Sequence, residues 1–471
     1  MKKILIALSV VAVIAAGVLG LYIHSGYSFS FIETYKKNFS ENLMNLKIQY
    51  EMRKEQKKAE EPQNTQKENT GSDTNDSHQT EMSSVTINYK DLTQKFVPTS
   101  EPIALKTAQK ARFERYAGGI LCVDENSMVS YNKDGKVEWS VPIQMSNPVL
   151  KVKGSFILLF EQSGKKVILY DGKKQLFQLE TAEKILTGNI SSNGDCAILT
   201  EKVYYKGAVI VYNKSGQEIY SRSFGKNSAL SVAISDSRRL CVSLLSAEDK
   251  VSSQIVFLDL NKTNEDVTVN FEDSIIFELK FSGNTLHAYA DNKLFALNDS
   301  GKELWKYDYS QKILNHYSQD ESDIKLMLFD TNNSAELCVI TAGGKEKQKI
   351  KEDILPDFCD ICDGFVLYNG GRSLYLTKSN GTPLAKYVAS RDMKNAYFIN
   401  SDNILVVYNS SIEFLRIEKE SKRYECYGIS SGCCYCCNFY NKYLSLCKTR
   451  FYKVNICNTV YCFDYLFDVC I

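Results

Sequence analysis

Apolar and polar residues in the middle of this chain sort into short blocks rather than long helical stripes. Ser155-Phe-Ile-Leu-Leu-Phe160, Gln254-Ile-Val-Phe-Leu-Asp-Leu260 and Gly364-Phe-Val-Leu-Tyr368 are β-branched and aromatic, with Gly, Asn and Asp at their borders. Such runs predict strands. Their alternation is imperfect, which predicts strands packed on both faces. A polar turn follows each run, then a second strand that ends on an aromatic. The clearest copies are Val129-Ser-Tyr-Asn-Lys-Asp-Gly-Lys-Val-Glu-Trp139 and Leu297-Asn-Asp-Ser-Gly-Lys-Glu-Leu-Trp305. Weaker copies run over 169–177, 211–220 and 376–384.

The phrase returns about every 41 residues, within the 40 to 50 range of blades in a β-propeller. Gly135, Gly172, Gly216, Gly301, Gly343 and Gly381 mark its turns. A glycine-free turn at Asn261-Lys-Thr-Asn264 fills the gap after Gly216, and a hairpin at 403–416 closes the series. The count predicts an all-β propeller over 85–418 with about eight blades; seven blades and one irregular unit is the alternative. The last unit lacks an outer strand, and a segment within 86–116 is expected to supply it, because an open ring would leave strand edges unpaired. Each turn glycine should take a positive φ. The closing aromatics Trp139, Phe177, Tyr220 and Trp305 should pack between blades.

Phe295-Ala-Leu-Asn-Asp-Ser-Gly-Lys-Glu-Leu-Trp305 resembles the repeat of quinoprotein-type (PQQ-like) propellers, whose blades run strand, Ala-Leu-Asp, x-x-Gly-Lys and Trp. The likeness spans roughly 320 residues and is degenerate, with two Trp in the whole chain. It implies the propeller fold and a superfamily holding both quinone-dependent dehydrogenases and non-catalytic envelope scaffolds. The dehydrogenases set a vicinal Cys-Cys disulfide against their cofactor. No adjacent cysteines occur in the repeat region, so no cofactor is expected. The overall layout is similar to membrane-anchored propellers of low-GC Gram-positive bacteria.

Ahead of the repeats, Ile4 to Ile23 is an uncharged run of twenty residues preceded by Lys2 and Lys3. That length crosses a bilayer core as one helix, and the basic flank favours an inside N-terminus. The expectation is a single-pass anchor over 1–23 in the cell membrane with the ring outside the cytoplasm. A cleaved signal peptide and a cytosol-facing ring are the alternatives. Over 24–61, Ile32, Tyr35, Phe39, Leu43, Leu46 and Tyr50 recur at helical steps. This juxtamembrane helix would either dimerise as a stalk or lie on headgroups. Residues 62–84 are almost wholly polar and read as a flexible tether.

Formal net charge is +1, which argues against nucleic-acid binding through bulk electrostatics. Of fifteen cysteines, nine lie between Cys426 and Cys470, in a final stretch that also holds eight Tyr and no Ala, Pro, Gln or Met. A one-base shift turns Cys and Tyr codons into codons for Val, Ala, Ile, Met and Thr. The 419–471 tail therefore reads as an out-of-frame translation, with a genuine Cys-rich tail and a thiolate metal cluster as alternatives. Cys359-Asp-Ile-Cys362 is a lone C-x-x-C that could form a disulfide outside the cytoplasm; without a second pair it does not make a zinc site. His24, His78, His287 and His316 are scattered, and no phosphate loop, dinucleotide fingerprint or Gly-x-Ser-x-Gly elbow occurs. Asp320, Glu321 and Asp323 read as solvated loop acids. The expected function is a non-catalytic scaffold or sensor with a protein or envelope-polymer partner. A glycan hydrolase or lyase with its site in the funnel is the competing reading. The phrase itself carries no catalytic group, which directs attention to the loops between blades.

Overall fold

The computed structural model describes residues 92–420, except 109, 247–250, 263–265, 330–333 and 353–355. The expected anchor, juxtamembrane helix, tether and Cys-rich tail lie outside the described residues. Among the described residues no helix is long and apolar enough to cross a membrane.

The described chain folds into eight antiparallel sheets that follow one another in sequence. Blade 1 is Arg112–Tyr116, Gly119–Val123, Ser127–Tyr131 and Val137–Pro142. Blades 2 to 7 repeat this order over 148–180, 185–223, 228–272, 276–308, 313–352 and 359–388. First strands of neighbouring blades touch one another, which sets them around a central axis. Blade 8 has Met393–Asn400, Asn403–Tyr408 and Ser411–Lys419, and its outer strand is Gln94–Pro98 from the start of the described chain. Gln94 pairs with Lys419 and Pro98 with Leu415, so the two ends of the ring are hydrogen-bonded together. The expected closure is found, at eight blades.

Burial follows position in the blade. Second strands such as Gly119–Val123, Cys196–Thr200 and Asn403–Tyr408 are buried at every residue. Each is pressed between two neighbouring sheets, which is why the sequence shows solid apolar runs there. Outer strands such as Val137–Pro142, Glu218–Ser223 and Glu303–Asp308 alternate exposed and half-buried. The core is not one mass but eight apolar clusters, one at each blade junction.

The repeated phrase builds the turn before the outer strand. Asn132 Oδ1 accepts from the backbone N–H of Asp134 (3.0 Å) and Lys136 (2.9 Å). Asn213 and Asn298 do the same two and four residues on. The glycine that follows takes φ of +84° at Gly135, +77° at Gly216 and +82° at Gly301, and a register shift of one residue lies a little farther along the hairpin, between Ser130 and Tyr131, Val211 and Tyr212, and Ala296 and Leu297. This is a turn closed by a glycine bulge, which only an unbranched backbone enters without strain. In blade 6 the positive φ falls on Gly344 (+81°) and not on Gly343, because Thr341 takes the Asn role and accepts from Lys345 N–H.

These glycines also face the preceding blade. A Cβ on Gly216 would lie 3.0 Å from Phe177, and one on Gly344 would lie 2.5 Å from Trp305. Trp305 Nε1 donates to Ala342 O across the same junction (3.1 Å). At these two junctions the closing aromatic of one blade seats the turn glycine of the next, whereas Gly135 meets Phe414 and Gly301 meets Val269 and Phe257. Trp139 and Tyr220 pack at the junctions of blades 1–2 and 3–4.

Candidate functional site: a polar chamber on the ring axis

Inner strands carry charged side chains at positions where the rest of the blade is apolar. Five of them, from blades 1, 5, 6, 7 and 8, enclose a chamber of about 290 Å³. Its walls include Glu114, Arg115, Lys280, His316, Asp360 and Tyr397.

Asp360 is the hub. Its Oδ2 accepts from Arg115 Nη2 (2.7 Å) and Phe398 N–H (2.8 Å), and its Oδ1 from Ser318 Oγ and Ile361 N–H (both 2.8 Å). Arg115 also donates to the carbonyls of Phe398 (2.8 Å) and Ile361 (2.8 Å). Blades 1, 6, 7 and 8 are tied together by one carboxylate whose four acceptor directions are all used.

Glu114 is different. Its side chain is exposed to the chamber, within the circle of inner strands. That enclosure raises its pKa above the ordinary carboxylate value, opposed by the charges of Lys151 and Lys280. His316 is pushed the other way, toward the neutral form, by burial, while Asp360 partly restores the cation. Lys280 sits 4.9 Å over the Tyr317 ring, whose other neighbour is Tyr289 in a stack at 4.3 Å. Asn395 Nδ2 donates to the Tyr397 hydroxyl (2.8 Å).

Most residues singled out from sequence lie elsewhere. Cys359 and Cys362 sit three apart on the inner strand of blade 7 and face opposite sides. Cys359 enters the blade 6–7 core and Cys362 the blade 7–8 core. Both are free thiols; in this geometry the disulfide considered for them is not formed, since strand neighbours of odd spacing point apart. Burial pushes Cys359 up to about 12 and Cys362 up to about 11, so neither thiolate is populated near neutral pH. Asp320 and Asp323 build the first hairpin of blade 6: Asp320 Oδ1 caps Ser322 and Asp323 N–H, and Asp323 pairs with Lys347 at 2.7 Å. His287 lies at the blade 5–6 junction, its ring 5.6 Å from that of Trp305. Among the described residues no group of three His, Cys, Asp or Glu could hold a metal ion.

Apart from His316 and Cys359, which also lines the chamber, its residues were missed from sequence. Their signal is faint: a charged residue at inner-strand positions of units roughly 40 residues apart. The search among blade-connecting loops passed over these strands.

Eight blades, seven of four strands and the last with Ile103–Ala104 as a short fifth, a ring closed by an N-terminal strand and a polar axial chamber define a β-propeller. The chain belongs to a family of unknown function, DUF5711, whose model matches residues 93–417. No curated protein matches it. Similar solved structures include the computationally designed Ika8 protein, at 12% identity and TM-score 0.52, covering 69% of this chain and 100% of that one. The C-terminal WD40 domain of Sif2 is similar at 11% identity and TM-score 0.51, covering 70% and 100%. BamB from Moraxella catarrhalis matches at 12% identity and TM-score 0.45, covering 68% and 99%. At these identities the likeness shows the fold alone.

Proposed function

We propose that this chain is a non-catalytic propeller held at the cell envelope by residues 4–23, with the ring outside the cytoplasm, where it acts as a binding scaffold or sensor for a protein or envelope polymer. The saturation of Asp360 carries the reading. A glycosidase needs two carboxyl groups free to act on substrate. Here Glu114 has the raised pKa of a proton donor, but its neighbour in the chamber spends every acceptor direction on the protein itself. Glu114 beside Asp360 is also what keeps the glycan-active enzyme as the second reading.

Two measurements separate them. The purified full chain is screened against cell-wall glycans for both binding and release of reducing ends, alongside pull-down from envelope fractions. Binding without turnover is expected. Turnover abolished by Glu114→Gln would favour the enzyme. Protease accessibility of the ring in intact cells tests its side of the membrane, with protection in intact cells and cleavage only after lysis counting against an outside location.

A further inference from the structure

Blade 3 carries an exposed apolar knuckle. Between its second and third strands the chain reads Lys202-Val-Tyr-Tyr-Lys206; Val203 is 56%, Tyr204 98% and Tyr205 49% exposed. Tyr204 takes a φ of +65°, a left-handed conformation that is rare for a bulky aromatic residue. Large apolar side chains this exposed mark contact sites more often than they do when scattered singly.

The knuckle is fastened to the loop leading into blade 4. Lys206 N–H donates to Phe224 O (2.7 Å), Phe224 N–H to Gly207 O (2.8 Å) and Ala229 N–H to Lys206 O (3.1 Å). At its foot lies a groove of about 230 Å³ between blades 3 and 4, with Phe224, Leu244 and Val256 as its apolar lining and Arg222 and Lys226 on its rim. Asn227 lines it too. That side chain is 5% exposed, and its Oδ1 has no hydrogen-bond partner among the described residues. Its Nδ2 donates to Gln254 Oε1 (2.7 Å), and Gln254 lines the groove as well. A buried acceptor without a partner costs about 1–3 kcal/mol.

We propose that this surface docks an extended segment of a protein partner. One backbone N–H of the segment would be donated to Asn227 Oδ1. An apolar side chain would fill the groove between the tyrosines and Phe224, and acidic residues would face Lys202 and Lys206, since Arg222 is already paired with Asp266. An unpartnered acceptor fits a peptide N–H and has no counterpart in a lipid tail, which favours peptide over bilayer. The surface also lies on the opposite face of the ring from the turn glycines. The described chain enters at the turn-glycine face, where Thr93 N–H donates to Leu384 O beside the Gly381 turn. The knuckle therefore lies on the face opposite the one at which Thr93 enters the ring. The inference rests on the scaffold reading and names the partner class and its site.

The probe is a library of random 12-residue peptides displayed on phage, selected on the immobilised full chain. Expected winners carry one aromatic or aliphatic residue flanked by Asp or Glu. Their affinity should fall at least tenfold with Tyr204→Ser plus Tyr205→Ser, and again with Asn227→Leu. The tyrosine variant alters only exposed side chains, so it keeps the test readable if Asn227→Leu fails to fold. Selected peptides that bind both variants as well as the parent would overturn this site while leaving the scaffold reading in place. Failure to enrich any peptide, with tyrosine-dependent sedimentation on phosphatidylglycerol vesicles, would overturn the peptide proposal in favour of a lipid surface.

Discussion

His287 shows how one buried side chain couples the ring to pH. It is 1% exposed, and no hydrogen bond of good geometry reaches either ring nitrogen, although Gln319 lies near enough to favour the cation slightly. Burial pushes its pKa down to about 4, from 6.5 in the unfolded chain. Between those values the unfolded chain takes up a proton that the folded ring refuses. Stability from this site is complete above pH 6.5 and is lost as pH falls toward 4, by about 3 kcal/mol. His287→Phe should flatten that part of the acid limb. Urea midpoints at pH 7, 5.5 and 4.5 read it directly; parallel curves for variant and parent would sink the assignment. The sequence showed a histidine in an apolar run at Leu286-His-Ala288, but not the Trp305 ring that covers it.

A blade is specified mostly by its turns. The Asn side chain, the glycine bulge and the aromatic all lie within about ten residues, so their work is legible in one dimension. Gly343 and Gly344 are the instructive exception. Adjacent glycines satisfy the pattern equally, and the pairing of Thr341, in the Asn role, with Lys345 selects the second. Gly344→Ala should therefore be costly twice over, through its φ of +81° and through a Cβ 2.5 Å from Trp305. A loss of about 2–4 kcal/mol is expected. Gly118→Ala shares the positive φ (+77°) but meets nothing within 4 Å, and should cost about 1 kcal/mol. Chemical denaturation of both variants gives the comparison, and equal losses would mean that the seat on Trp305 contributes nothing.

At the scale of the ring, closure is the decisive event. Strand Gln94–Pro98 covers the edge of Ser411–Lys419 and sends Phe96 into the blade 7–8 core. Removing residues through Pro98 should expose that edge and lower the melting temperature, with association seen by size-exclusion chromatography. An unchanged melt and a monomeric elution would show that closure is dispensable. The repeat, its period and the need for a borrowed strand are properties of the sequence alone, because each depends on local hairpin chemistry and simple counting; between seven blades and eight, the strand pairing of the folded ring decides for eight. The axial chamber and the groove between blades 3 and 4 belong to the tertiary structure. Arg115 and Asp360 are 245 residues apart, and Asn227 and Gln254 are 27 apart. No spacing rule links such pairs; the curvature of eight packed sheets brings them together. The two cysteines of Cys359-Asp-Ile-Cys362 make the same point in reverse, since strand geometry sends neighbours in sequence into separate cores.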